Sequence, residues 1–313
     1  MVLLGAALAA SQFSGLHVIL DNLSNFIVHF AAGFLVCSLV LAIAGSGRWA
    51  FVSALGLAVS LVPVVPWYFS PDTEPAADGA SSARLLVSNL HFRNRRYDKL
   101  AQLIEWERPD VIGLIEVNSE WLANLAPLRK DYAFWFEAPD NAHIGLALLS
   151  KIPLRDPRIM RFGDPLLPAI AATIQMPTGE IELILAHPPP PLAADLASLR
   201  NAQLRGLARH ACASKNAVLI AGDLNVTMWN RHYRSLAKHG GLHNARAGHG
   251  IGPTWPSIWP FGIPIDHILA TSPVRFRGFR VHEDIGSDHL PISAEIVLDA
   301  HAAGIPTKGG SSR

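Results

Sequence analysis

Asp223 and Asn225 stand two positions apart at the end of the apolar run in "VLIAGDLN". If the chain stays extended there, side chains at i and i+2 share a face, so an acid and an amide open into one space. Other apolar runs border polar groups of the same kind. "LLVSN" ends in Asn89, "VIGLIE" in Glu116 and "LILAH" in His187, while Ser287, Asp288 and His289 stand just ahead of "LPISAEI". Singly, each has an ordinary explanation: an Asx turn at Asp223, a turn former at Asn89, a helix-capping acid at Glu116, a core histidine at His187, an N-cap at Asp288. Five apolar segments bordered in this way are hard to ascribe to coincidence, because strand-end loops are where α/β scaffolds build their sites. Glu116 and Asp288 supply hard anionic oxygens and Asn89 a neutral one. That set suits Mg²⁺, or Mn²⁺ in its place, whereas zinc would want a tight His/Cys group that the spacing does not offer.

The elements that must position these groups begin at Arg84. "RLLVSN" (84–89), "DVIGLIEV" (110–117), "IGLALLS" (144–150), "AVLIAGD" (217–223), "IDHILA" (265–270) and "AEIVLD" (294–299) read as strands. "AIAATIQMPTGEIELILAH" reads as a hairpin turning at Pro177, Thr178 and Gly179. "YDKLAQLIEWE" and "ADLASLRNAQLRGLARHA" carry apolar residues at helical spacing. This mixed alternation predicts an α+β fold with mixed sheets flanked by helices rather than a purely parallel doubly wound sheet.

The start of the chain is different. Half of the 313 residues are hydrophobic, only 16% are charged, and between Met1 and Ser70 the only formal charges are Asp21 and Arg48. "FIVHFAAGFLVCSLVLAIAG" (26–45) is uncharged, and at ~1.5 Å per residue it covers about 30 Å, one bilayer core. "WAFVSALGLAVSLVPVVPWYF" (49–69) is of similar length, with aromatics at both ends. Residues 3–20 are apolar but interrupted by Ser11, Gln12, Ser14 and His17, so they either span or lie in the interface. Residues 1–69 therefore read as a transmembrane region, 70–82 as a flexible linker, 83–299 as the large folded domain and 300–313 as a disordered tail. Arg48 in the turn between the two stronger spans points that turn to the cytoplasm. The acidic linker agrees, which makes the protein multi-pass with its large domain extracytoplasmic. The domain is close to neutral, which argues against a broad nucleic-acid surface. Cys37 and Cys212 form no disulfide framework.

In order and spacing, "SNL", "DVIGLIEV", "LAH", "GDLNVTMW", "PIDHILA" and "GSDHLPI" resemble the endonuclease/exonuclease/phosphatase superfamily over about residues 83–299. The apolar start, with "AHPPPP" and "GDLNVTMW", resembles its bacterial membrane-tethered subgroup. The resemblance implies an α+β four-layer α/β/β/α sandwich with two mixed sheets and metal-dependent cleavage of phosphate esters. It assigns Glu116, with Asn89 and Asp288, to the metal. Asp223 is implied to orient and deprotonate the attacking water, and Asn225 to hold a phosphoryl oxygen or the nucleophile. His289 is implied to stabilise charge on phosphorus with Asp266 beside it, and His187 to make a second phosphate contact.

Other residues carry less. His267 neighbours Asp266 on an extended strand, should point to the opposite face and reads as structural. His143 reads as an exposed loop residue, and Trp229 as packing beneath the "GDLN" turn. "PTWPSIWPFGIP" (253–264) reads either as a self-packed loop or as a lipid-facing lip, in which case Trp259→Ala would hurt lipid substrates most. A tethered enzyme meets lipids first, so a lipid-linked phosphate ester is the favoured substrate class. The basic run "RNRRYDK" (93–99) keeps a nuclease as the alternative, and a catalytically silent receptor or scaffold is the alternative of a different class. Oligomeric state is not encoded in any of these features.

Overall fold

The computed structural model describes residues 1–69, 80–140, 143–258 and 260–298. Most of the expected linker, Trp259 and the expected tail lie outside the described residues. Four helices come first, α1 (Val2–Ser11), α2 (Val18–Leu23), α3 (Ile27–Ile43) and α4 (Gly47–Leu61). Sheet structure then begins with β1 (Ser81–Asn89), followed by α5 (Tyr97–Glu107), β2 (Val111–Ile115), α6 (Ser119–Leu125), β3 (Phe134–Ala138) and β4 (Leu146–Ser150). The second half holds β5 (Leu154–Arg161), β6 (Pro168–Met176), β7 (Gly179–Ala186), α7 (Ala194–Ala213), β8 (Ala217–Asp223) and α8 (Arg231–Gly240). It closes with β9 (Leu242–Asn244), β10 (Asp266–Thr271), β11 (Val274–Val281) and β12 (Ile292–Leu298).

Two six-stranded mixed sheets result, ordered β11-β12-β1-β2-β4-β3 and β5-β6-β7-β8-β10-β9. The pairs β1–β2 and β7–β8 are parallel, as each strand of the pair is separated from the next by a crossover helix. Strand periodicity then sorts side chains between layers. Leu85 and Val87 of β1 join Leu183, Leu185, Leu219 and Ile268 in the core between the sheets. Leu86 turns outward with Ile112 and Leu114 to meet Leu100 and Ile104 of α5 and Trp121 of α6. The outer face of the second sheet packs on α7, α8 and part of the N-terminal helices. The four-layer sandwich expected from the sequence is the observed fold.

In the helical start, residues Val18–Ile43 run as 26 continuous helical residues, with mean hydropathy 2.5 over an 18-residue stretch, the one described helix long and apolar enough to cross a membrane. The stretch 49–69 is helical only to Leu61, because Pro63 cannot continue the ladder, and a 3₁₀ turn follows at Val65–Tyr68. Residues 3–20 form two helices broken around Gly15. Distal positions of α3 and α4, among them Val36, Leu39, Ile43, Trp49 and Phe51, are exposed. The proximal end docks on the sandwich. Asp21, Ser24 and Asn25 are buried there, the Asn230 amide donates to Asp21 and Ser24, and Thr227 donates to Asn25 Oδ1 at 3.0 Å. The Arg200 guanidinium pairs with Asp21, both almost fully buried. A polar residue in an apolar helix thus marks where the helix leaves its apolar surroundings for the domain surface.

Candidate active site

Strand ends bring the site together. β1 and β2 run parallel with Asn89 paired to Ile115, so Glu116 emerges one residue beyond Asn89 at the same sheet edge. In the facing sheet β10 runs antiparallel to β8 with Asp266 paired to Asp223, and His187 directly follows β7. Gly222 permits this approach. Its φ is +144°, and a Cβ there would collide with the Ala186 carbonyl oxygen of β7. A Gly222→Ala variant is expected to lose soluble folded protein, a result checked by circular dichroism of the purified chain.

Asp223 is the hub. Its Oδ2 accepts from Asn89 Nδ2 at 3.3 Å and Asn225 Nδ2 at 3.3 Å, and lies 3.4 Å from His187 Nε2 and 3.5 Å from His289 Nε2. Its Oδ1 accepts the Asn225 backbone N–H at 2.9 Å, so an Asx turn and a shared site coexist. Asn89 Nδ2 also donates to Glu116 Oε1 at 3.1 Å, joining the two carboxylates. Glu116 Oε2 accepts from the Phe92 N–H at 3.2 Å and lies 3.5 Å from His143 Nδ1. On the far side of His289, Nδ1 meets Asp266 Oδ2 at 3.0 Å. Seven of the eight expected site residues are therefore linked within one cluster. The eighth, Asp288, is exposed, and its Oδ2 accepts from Trp255 Nε1 at 3.0 Å instead of meeting the Asn89–Glu116 pair.

Charges follow from these distances. Burial pushes the His289 imidazole down, but the Asp266 and Asp223 carboxylates on its two sides overcome it and hold the pKa up at about 10. His187 is likewise pushed down by burial and raised further by Asp223. Asp266, which burial alone would raise, is held below its ordinary value by His289. Asp223 thus sits between the His289 imidazolium and a His187 ring whose charged form it favours. Asp223, Asp266 and His289 offer ligand atoms within 4.8 Å of one another. A protonated His289 has no lone pair for a cation, however, so a metal fits better on the other flank. There Asn89 Nδ2 lies between the Glu116 and Asp223 carboxylates while its Oδ1 accepts the His91 N–H at 3.0 Å, and turning that amide over would complete an all-oxygen set that fits a hard divalent ion.

Three non-glycine residues at the site hold left-handed backbone: His91 (φ +54°), Glu116 (+59°) and Asn225 (+50°). For Glu116 this conformation is uncommon and costs roughly 1–3 kcal/mol, strain of the kind that gathers at functional positions. It turns the chain sharply after β2 and aims the carboxylate back at Asn89.

Several residues that no sequence pattern marks out touch the site. His143 is exposed, as expected, yet reaches Glu116. Thr254 Oγ1 is fully buried and accepts from the Asp266 N–H, and Arg246, also fully buried, donates to the Asp266 carbonyl at 2.7 Å. Ser287 donates to the Asn89 carbonyl at 2.8 Å and so ties the last motif to the first. A threonine and an arginine on loops preceding a strand gave no periodic signal. His267 is structural: buried on the opposite face, it bonds Val226 O at 2.8 Å and Asn244, and burial with the nearby Arg246 charge pushes it to about 3. Trp229 packs in the outer core and donates to Asn25 O.

The chain belongs to the Endonuclease/Exonuclease/phosphatase family, whose profile matches residues 86–289. Proteins of this family are in general metal-dependent phosphodiesterases and nucleases. Its fold is similar to D. rerio TDP2 complexed with a single strand DNA product, with 17% identity, coverage of 69% of this chain and 98% of that chain, and a TM-score of 0.59. The human Nocturnin catalytic domain with bound sulfate anion is 18% identical, with 69% and 94% covered and a TM-score of 0.57. A Bacteroides thetaiotaomicron protein of the same family is 17% identical, with 70% and 99% covered and a TM-score of 0.56. Among curated proteins no match was found.

Proposed function

We propose that the protein is a membrane-anchored, Mg²⁺-dependent phosphoesterase that hydrolyses a phosphate ester or phosphodiester with an activated water. The observation that carries this reading is Asp223, an almost fully buried carboxylate set between His187, His289 and Asn89 with Glu116 beyond. A phosphate ester repels nucleophiles through its own charge, so catalysis needs charge neutralisation and a placed water. The cationic His289, and His187 with its charged form favoured by Asp223, face where phosphoryl oxygens would sit. Asp223 takes the proton from water, and Asn225 orients the reacting group from the same turn. The divalent ion would be held by Glu116 with Asn89, and by Asp288 if its side chain leaves Trp255; when bound, it supplies further neutralisation of phosphate charge. EDTA is expected to lower phosphodiester hydrolysis by the full-length protein at least 100-fold and added Mg²⁺ to restore it, with Glu116→Gln raising the Mg²⁺ concentration required. Undiminished turnover in EDTA would overturn the metal assignment.

The α3–α4 hairpin is the proposed anchor, crossing the membrane twice with Arg48 at a cytoplasmic turn and the sandwich outside. Support comes from its exposed apolar distal half, since α3 alone covers roughly 25 Å at ~1.5 Å per residue. Cysteine labelling of positions 71–82 from either side of sealed vesicles tests the orientation. Two loops support a lipid-linked substrate. Pro188 O accepts from Asn225 at one end of the first loop, and Pro191 O accepts from Asn22 of α2 at the other. In the second, Ser257 N–H donates to Asp288 O, and Phe261 O contacts His29 of α3 at 3.1 Å. Both loops therefore run from the site to the helical base, and Leu192, Ile258 and Phe261 on them are exposed. Phe261→Ala is expected to reduce hydrolysis of a vesicle-borne phosphate ester about tenfold while a small soluble ester loses less than about twofold. Equal losses would remove the lipid reading. The nuclease alternative draws on the DNA product bound to D. rerio TDP2. Against it, Arg95 pairs with Glu120, Arg96 with Asp98 and Lys99 with Asp284, so the basic run is largely neutralised.

A further inference from the structure

A second candidate site lies away from the catalytic cluster, in the groove between α7 and α8. Its cavity is about 420 Å³, floored by Leu204 and Leu236 and edged by Arg205 from α7 and Arg231, Arg234 and Lys238 from α8. No carboxylate lines it. Several arginines elsewhere on the domain surface have carboxylate partners, as Arg84 with Glu107, Arg155 with Glu180 and Arg158 with Glu182. Among the described residues, no carboxylate pairs with Arg205, Arg234 or Lys238, and Arg231 spends its Nη1 on the Ser14 carbonyl at 2.7 Å. Four like charges around one concavity repel each other, so the groove gains most from an anion with several oxygens. Guanidinium forks suit phosphate in particular.

The groove's position selects among phosphates. Ser14, held by Arg231, belongs to the connection between α1 and α2, and Phe13 and Leu16 on that connection are 59% and 76% exposed. Two residues along α8 from Arg231, Tyr233 lies edge-on to Trp67, after α4, with ring centroids 6.4 Å apart. The Arg231 end of the groove thus adjoins the base of the helical hairpin, with exposed apolar side chains beside basic ones. That combination fits a molecule with a charged head and an apolar tail at a water–membrane boundary.

We infer that the α7–α8 groove binds the phosphate of an anionic phospholipid, its acyl chains running past Phe13 and Leu16 along the hairpin. The inference rests on the membrane-anchoring part of the proposed function and is independent of hydrolysis. In the test, the full-length protein is placed in nanodiscs of mixed phosphatidylcholine and phosphatidylglycerol, and the lipids it retains are counted by native mass spectrometry. The wild type is expected to retain phosphatidylglycerol over phosphatidylcholine by about tenfold, and an Arg234→Gln/Lys238→Gln variant by less than about threefold. Both substituted side chains are exposed, so the variant keeps its fold, which its thermal midpoint checks. No preference in the wild type, or a preference unchanged in the variant, overturns the inference with anchoring intact. A protein that fails to enter the nanodisc overturns both. Inorganic phosphate that displaces the retained lipid at equal concentration assigns the groove to a soluble anion instead.

Discussion

An Asp223→Ala variant is expected to hydrolyse a phosphodiester about 10⁴-fold more slowly than the parent, with KM changed less than about threefold. Loss of a positioned base accounts for about 10²–10⁴ of such a factor. The remainder follows because His187 and His289 lose the carboxylate that sits between them and holds both rings towards the site. The same substitution has a signature in stability. His289 titrates at about 10 in the folded chain, above its ordinary 6.5, so the stabilisation it carries is fully present below about pH 6.5. That stabilisation is lost as pH rises through about 10. The unfolding free energy of the parent should therefore decline across that window, and more weakly in Asp223→Ala, where only Asp266 still flanks the ring. Kinetics and denaturant titrations across pH 6.5–10 read out both effects. A variant keeping a tenth of the parental kcat would remove Asp223 from the role of base.

The two halves of that prediction rest on features of unequal visibility in the sequence. The buried strands β1, β2, β4, β6, β7, β8, β10 and β12 could be read from apolar runs, because strands covered on both faces leave a continuous signal. The strands that could not are β3, β5, β9 and β11, and they are the four edges of the two sheets. Edge strands face water on one side and are often short or charged, as in "LRDPRIMR" and "VRFRGFRV", so their pattern blends with that of loops. Among site residues, those at the ends of buried strands were legible, since a polar side chain closing an apolar run stands out. Thr254 and Arg246 were not. They act on Asp266 across loops, a relation that depends on tertiary placement and leaves no spacing to read.

Docking of the helices on the domain was equally invisible, although its main residue, Asp21, was conspicuous as the lone acid in an apolar stretch. A carboxylate in a helix that otherwise suits lipid needs a partner, and Arg200, 179 positions away, provides it. The arrangement also reaches the site. Arg200 Nη2 pairs with Asp21, while its Nη1 donates to the carbonyl of Asn225 at 3.0 Å. Asn225 holds a left-handed φ of +50° that its neighbours must maintain. One guanidinium therefore links the base of the N-terminal helices to the Asp223–Asn225 turn.

The second large effect tests this link. Asp21→Ala leaves the Arg200 charge buried and strips the Asn230 amide of an acceptor, and breaking a buried pair in this way costs about 3–5 kcal/mol. For a domain of this size the thermal midpoint should fall by roughly 10 °C, read by differential scanning fluorimetry of the detergent-solubilised protein. An Asp21→Leu/Arg200→Met double variant removes both charges and fills their space, and most of the midpoint is expected to return. Activity is expected to follow a different course. Without the guanidinium hydrogen bond to Asn225 O, the catalytic turn loosens, and kcat should stay about tenfold or more below the parent while KM changes little. Stability and turnover would then separate within a single protein. A double variant with parental kcat would show that Arg200 serves only to bury Asp21, leaving the catalytic turn to hold its own shape.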